Sequence, residues 1–271
     1  MSAFDTIGDL CLAEEGVGSL IVRVPVRSAA LSGTQTAIRS GDLTGIAATI
    51  SDSRADWPGR TSTTVLIGGC DLSCPYCFAP EIVNRTRVDT TIARMAEQIE
   101  SRANVLEGVV VSGGEPTASP LLYPLLEALL QTGLPIKLDT NGASPDVIES
   151  VIADGLVAFV SLDVKTTPER YDRLTRGTGV WQRVEESVAL LNASDIDHEF
   201  RTTCYPFAVS AADLPSIAAH LAGGRRYALQ QLVARRTLDP AAATVAPIAT
   251  DELCLAAMRC SVHLPTVVRG V

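Results

Sequence analysis

Residues 63–80 read TTVLIGGCDLSCPYCFAP: a short apolar run, two glycines, then three of the chain's seven cysteines within eight residues. The run TTVLIG has the length and β-branched content of a buried strand. Gly68 and Gly69 let the chain turn sharply at its end without side chains over the loop. Cys70, Cys74 and Cys77 follow with the spacing C-x3-C-x2-C, and Pro75 stiffens the loop. Zinc usually takes four ligands, often as paired C-x2-C knuckles, and no second knuckle lies nearby. Cys204 could fold back to complete such a site, and His198, His220 and His263 are all remote in sequence. The blandest reading makes the cysteines small core residues. Three soft thiolates instead suit a [4Fe–4S] cluster with one iron left open to a small chelating ligand.

Outward from that loop the pattern is regular. Apolar runs at 107–114, 134–142, 157–165, 197–206 and 225–233 read as strands like 63–68. Helical segments are expected at 89–103, 121–133, 145–155, 181–194 and 211–224, with Pro124 in a first turn and Pro145 and Gly155 bracketing their helix. Six strands alternating with helices predict α/β architecture with a parallel sheet. Polar residues gather where strands end: the cysteines, then Gly113-Gly114-Glu115, then Asp139-Thr140-Asn141, then Asp163 and Lys165, then Arg201, then Gln230 and Gln231. Alternation lets at most one of the two glutamines face a common site. Polar groups from six successive strand ends meet at one mouth in a barrel, whereas an open sheet has one crevice. The fold class expected is therefore a partial (β/α)6 TIM-like barrel with an amino-terminal extension. The divisions are 1–52 as the extension, 53–240 as the core and 241–271 as a carboxy-terminal tail. Within 1–60 only LIVRVPV (20–26) suggests a strand, and Asp56-Trp57-Pro58-Gly59 marks a turn.

The 271 residues are 46% apolar, enough for a substantial core, with a formal net charge of −9. No basic tract favours nucleic acid or an anionic membrane. The amino terminus lacks a secretory pattern, and no apolar run approaches the roughly 18 residues of a membrane span. A cytoplasmic protein is expected, where clustered thiols point to metal or chemistry before disulfides.

The cysteine spacing after the first strand resembles the radical S-adenosylmethionine superfamily over about residues 53–240. SGGEPT (112–117), LDTNG (138–142), SLDVK (161–165), EFRTT (199–203) and YALQQL (227–232) resemble its glycyl-radical-activating branch. DWPGR (56–60) and LDVK…ERYDRLT are most similar to the activating protein of anaerobic ribonucleoside-triphosphate reductase. The resemblance implies that Cys70, Cys74 and Cys77 hold the cluster and that its open iron binds S-adenosylmethionine. Reductive cleavage would then give a 5′-deoxyadenosyl radical that abstracts hydrogen. It implies that Tyr76 packs near the adenine and that Gly113, Gly114 and Glu115 form the motif that holds the methionine amino group. Lys165 and Arg201 would bind the cofactor's carboxylate or ribose, and Asn141 belongs to the same cofactor-binding set. Asp139, Thr140 and Asp163 resemble a monovalent-cation site. Two aspartates at adjacent strand ends would otherwise repel, and a cation or Lys165 would relieve them. The implied partners are a glycyl radical enzyme, such as that reductase, and a flavodoxin- or ferredoxin-like electron donor.

Phe78-Ala79-Pro80 stands where the branch commonly has histidine–asparagine–proline. That departure keeps a second reading open, in which the substrate is a small molecule or peptide. Such an enzyme would close its mouth with its own tail, whereas an activating enzyme would leave a wide face for a protein loop. A third reading is electron transfer through the cluster, although that needs none of the polar groups beside it. Cys254 and Cys260, with Cys11 and Cys204, read as core residues before a second cluster. An open iron is easily oxidised, so activity is expected only without oxygen.

Overall fold

In the computed structural model, residues 44–86, 90–233 and 236–271 are described. The proposed strand over 20–26 and Cys11 lie outside them. Among the described residues nine strands, β1 (Thr44–Ser53), β2 (Ser62–Ile67), β3 (Thr90–Thr91), β4 (Gly108–Gly113), β5 (Ile136–Thr140), β6 (Phe159–Asp163), β7 (Asp197–Cys204), β8 (Tyr227–Gln231) and β9 (Thr266–Arg269), form one sheet in the order β3-β1-β2-β4-β5-β6-β7-β8-β9. The six expected strands are all present: β2, β4, β5, β6, β7 and β8. Each pairs in parallel with the next in the sequence. The order never reverses. Right-handed crossovers then keep returning on the same side, so helices cover one face and the sheet curves into an arc around the other.

The helices in chain order are α1 (Pro80–Val83), α2 (Ile92–Glu100), α3 (Leu122–Leu130), α4 (Pro145–Ala153), α5 (Tyr171–Thr175), α6 (Val180–Ala193), α7 (Leu214–His220) and α8 (Thr250–Cys260). Their apolar spacing explains their placement. In α3, Leu122, Leu125, Leu126 and Leu129 recur at helical period and all are buried. Thr91 caps α2 by accepting the Arg94 N–H. These faces pack on Val65, Val109, Val111, Ile136 and Leu138 in one cluster. A second cluster gathers Val160, Leu162, Phe200 and Leu229 under the later helices.

The inner face differs from the continuous apolar surface that the strand runs suggest. Alternation places Lys137 and Asp139, Ser161 and Asp163, and Glu199 and Arg201 on it. These residues form a charged lining. Lys137 donates to Asp139 at 2.7 Å and to the Asp56 carbonyl at 2.7 Å. Glu199 accepts from Ser161 and from both terminal nitrogens of Arg269. Burial pushes Glu199 up, but Arg269 outweighs it and holds the carboxyl at about 2. The DWPGR segment caps the arc's amino-terminal end. Trp57 packs on Phe159 with ring centroids 5.9 Å apart, and the Asp56 carboxylate accepts from Thr64.

Two elements escaped the pattern reading. β1 (Thr44–Ser53) runs antiparallel to β2 and carries the short β3 (Thr90–Thr91) on its other edge. Its TGIAATISDS sequence lacks strand-like alternation; backbone pairing with β2 holds it. The stretch expected as a tail supplies α8, packed near α7, and β9 (Thr266–Arg269), a seventh parallel strand beside β8. The last part of the chain therefore extends the arc.

Candidate active site

The carboxyl ends of the parallel strands place the site. Gly69 has φ +96°, and its N–H donates to the Ile82 carbonyl, turning the chain out of β2. At the end of β4, Gly113 has φ +132°, and a Cβ there would overlap the backbone of Ile67. A Cβ at Gly114 would overlap the Gly69 carbonyl, which accepts the Glu115 N–H at 2.8 Å. The glycine turn is thus locked against the start of the cysteine loop. Only side-chain-free residues allow this approach.

The cysteine loop is anchored by its own apolar residues. Leu72, Cys74 and Tyr76 point into the core, while Cys70 and Cys77 are half-buried. The Ser73 N–H donates to Thr175, and the Cys77 N–H closes a turn on Cys74. The later chain clasps the loop: Leu238 and Asp239 donate to the carbonyls of Cys77 and Pro75. All three thiols are free, and the Leu72 N–H points at the Cys70 sulfur from 3.4 Å. Burial pushes the Cys70 thiol up to about 12 and raises that of Cys74, with Lys165 working against both. Such thiols become thiolates when a metal supplies the opposing charge. Among the described residues, no three His, Cys, Asp or Glu side chains converge as ligands of a single ion. Three thiols on one loop, with no histidine or carboxylate among them, form the all-sulfur donor set that suits an iron–sulfur cluster.

Glu115 is buried under the loop. Its Oε1 accepts from the Thr117 N–H and from the hydroxyls of Thr117 and Thr140, and its Oε2 accepts from the Asn141 N–H at 2.7 Å. Burial nevertheless pushes the carboxyl up to about 7. The capping interaction and the link to β5 coexist, so the Glu115 side chain ties the ends of β4 and β5 together. Each oxygen faces one fixed backbone N–H. In Glu115→Gln the amide nitrogen must oppose one of them whichever way it turns. The expected loss is about 1–3 kcal/mol, read as a lower urea midpoint with an unchanged slope.

Asn141 also serves the framework. Its amide donates to Asp71 at 2.8 Å and its carbonyl accepts the Ala143 N–H, so its side chain latches β5 to the cysteine loop. Tyr76 is 7% exposed and packs on Tyr205 with centroids 5.0 Å apart. Tyr205, which sequence reasoning missed, backs the loop from the end of β7. Gln231 bonds the Ile248 carbonyl and the Leu232 N–H, which ties it to the later chain.

The cation between the two aspartates is a side chain. Arg201 donates Nε to Asp163 at 2.8 Å and Nη1 to Asp139 at 3.2 Å. Asp139 also accepts from Lys137, so both aspartates are paired with side-chain cations. Burial raises Asp163, but Arg201 and Lys165 outweigh it and hold the carboxyl below its ordinary range. Lys165 lies 3.6 Å from Asp163. Burial opposes its charge, yet Asp163, Tyr76 and Cys74 raise it well above the usual lysine range. Lys165 thus remains a cation beside Cys74 and the loop, with donors to spare. Cys204 and Cys260 are buried thiols pushed up to about 12 by burial, and Cys254 is a buried residue of α8.

Among the described residues, no helix is long and apolar enough to cross a membrane. The family model described as the radical SAM superfamily matches residues 64–208, more than half of the chain. A Methanocaldococcus jannaschii protein with the provisional name of a glycyl-radical enzyme activating enzyme is 27% identical over 192 residues, 69% of this chain and 79% of that one. A Haemophilus influenzae protein of like name is 36% identical over 84 residues, 30% of this chain and 32% of that one. The fold is similar to that of SuiB from Streptococcus suis bound to S-adenosylmethionine, with TM-score 0.58 and 16% identity over 74% of this chain and 48% of that one. Cysteine loop, glycine turn and family match agree: the chain belongs to the radical SAM superfamily and is an enzyme of the [4Fe–4S] cluster and S-adenosylmethionine.

Proposed function

We propose that the protein is an activating enzyme that generates a glycyl radical on a partner protein. The observation that carries this reading is the long match to the M. jannaschii relative, which spans most of both chains. The later chain is consistent with it: α8 and β9 extend the arc's edge, while Leu238 and Asp239 meet the cysteine loop through backbone bonds. Phe78 and Phe207 are 78% and 72% exposed, leaving apolar surface for another chain.

Bound together, the cluster and S-adenosylmethionine supply reductive cleavage to methionine and a 5′-deoxyadenosyl radical that takes a hydrogen atom from the substrate. Cys70, Cys74 and Cys77 would hold three irons. The Gly113-Gly114 turn would offer backbone to the methionine amino group, with Glu115 keeping that turn in register. Lys165 would meet the methionine carboxylate. Arg201 would act mainly by positioning Asp163 beside it. Tyr76 would bound the adenine side, held by Tyr205. The electron donor would be a flavodoxin- or ferredoxin-like protein.

The test is anaerobic reconstitution with iron and sulfide, reduction with S-adenosylmethionine, and chromatography for 5′-deoxyadenosine. A candidate glycyl radical enzyme, such as anaerobic ribonucleoside-triphosphate reductase, is then added and the sample is examined by electron paramagnetic resonance. A glycine-centred doublet on the partner is the expected result. Steady cleavage with no protein radical on any glycyl radical enzyme of the same genome would move the substrate to a small molecule or peptide. A full cluster that never cleaves the cofactor would leave electron transfer.

A further inference from the structure

Beside the cysteine loop lies a cavity of about 250 Å³ whose lining includes Pro75, the residue between Cys74 and Tyr76. It is also lined by Arg170, Arg173 and Arg176, spaced three apart along the turn after β6 and α5. Tyr205 and Phe207 from the end of β7 complete its aromatic part. Arg170 is paired with Asp213 at 2.7 Å. Arg173 and Arg176 are exposed, and among the described residues neither meets an acidic group or makes a hydrogen bond. The one carboxylate at the rim, Asp239, accepts the Ala241 N–H. A chain of net charge −9 thus sets two uncommitted guanidinium groups against one already bonded carboxylate.

The backbone gives a second, independent observation. Arg176 has φ 56°, and Arg176 and Arg85 are the only non-glycine residues with positive φ among those described. This is the left-handed position that closes a helix, where glycine is strongly favoured. Glycine follows one place later, at Gly177, yet an arginine holds the unfavourable place. The cavity lining thus carries an arginine at a position with a backbone cost.

We propose that this cavity is an anion subsite that takes a carboxylate side chain of the polypeptide presented to the mouth. Its volume is below the roughly 300–1,000 Å³ of a drug-sized ligand site, which suits a single side chain better than a whole metabolite. Guanidinium forks match carboxylate or phosphate geometry. Tyr205 and Phe207 would cover the apolar part of the same side chain. The identity of the occupant as polypeptide rests on the function proposed above; the binding of an anion does not.

The test uses the full chain, reconstituted with its cluster and without reductant. Two labelled glycine-containing peptides, alike except for glutamate against glutamine, are titrated by fluorescence anisotropy at low salt. The acidic peptide should bind about tenfold or more tightly, a preference that salt erodes. Arg173→Ala with Arg176→Ala should abolish the preference while the melting temperature holds, since both side chains are exposed. Displacement of the acidic peptide by inorganic phosphate would support the anion subsite. Binding of phosphate while neither peptide binds would overturn the polypeptide occupant. Equal binding of the two peptides, or a preference that survives the double substitution, would overturn the subsite. Because no radical is generated, a missing glycyl radical and a missing anion preference are separate failures.

Discussion

Cys74→Ala is expected to remove bound iron and to drop 5′-deoxyadenosine formation to the level of the cluster-free protein. The framework of the loop should survive. Leu72 and Tyr76 remain buried on either side, and the backbone bonds of Ser73 and Cys77 do not use the thiol. Losing one buried sulfur leaves only a small cavity, whereas the lost ligand has no substitute, since no fourth cysteine lies in the loop. Residues that merely support a metal ligand are worth about 10–100-fold in affinity or activity, so loss of a ligand itself should exceed that range. Cys204→Ala is the matched control: the thiol is as buried, but it ends β7 and lies outside the loop. Iron and sulfide counts with chromatography read both variants. A Cys74→Ala protein that keeps about four irons and cleaves its cofactor would assign the third ligand elsewhere.

The mouth was legible because its residues sit at strand ends, and strand ends follow from apolar runs bounded by glycine and polar turns. The Cys70–Cys77 loop, Gly113-Gly114 and Lys165 could all be placed that way. The charge pairing inside the arc was less legible. Lys137 stands two residues before Asp139, so the period of the strand puts both on one face. What the period does not reveal is which cation each aspartate meets, since Arg201 reaches Asp139 from two strands away. Glu199 and Arg269 were harder still, because β9 is four residues long and lies far along the chain from its partner. β1 gave no pattern because antiparallel pairing uses backbone groups, which the side-chain sequence does not advertise. The packing partners of Asn141 and Tyr76, Asp71 and Tyr205, are not legible in the sequence. The Asn141 amide and the Tyr76 ring turn inward, where an unpaired amide or an exposed ring would be costly.

Asp139→Asn is expected to be among the most destabilising single changes inside the arc, costing about 3–5 kcal/mol and roughly 10 °C in melting temperature. The inner network sets four cations, Lys137, Lys165, Arg201 and Arg269, against three carboxylates, Asp139, Asp163 and Glu199. Asp139 pairs with two of those cations, Lys137 and Arg201, and Lys137 is wholly buried. Removing the carboxylate leaves four cations against two and strands a buried ammonium. Lys137→Met does the reverse: it balances the count at three against three and leaves Asp139 to Arg201, so it should cost less. The double variant, Lys137→Met with Asp139→Asn, should recover much of the loss, because a neutral pair of similar volume replaces a broken ion pair. The pH dependence carries the same sign. Burial already lowers the Lys137 ammonium, with Asp139 opposing the shift. Without Asp139 it falls further, so the unfolded chain binds more protons over the interval up to the ordinary lysine range near 10.4, and stability rises with pH there. The deficit of Asp139→Asn should therefore shrink as pH rises towards the ordinary lysine range, while that of Lys137→Met, which has no ammonium to lose, should not shrink. Urea midpoints across that interval decide the matter. If Lys137→Met is as damaging as Asp139→Asn, or the deficit ignores pH, then packing and not charge balance holds the inner face together.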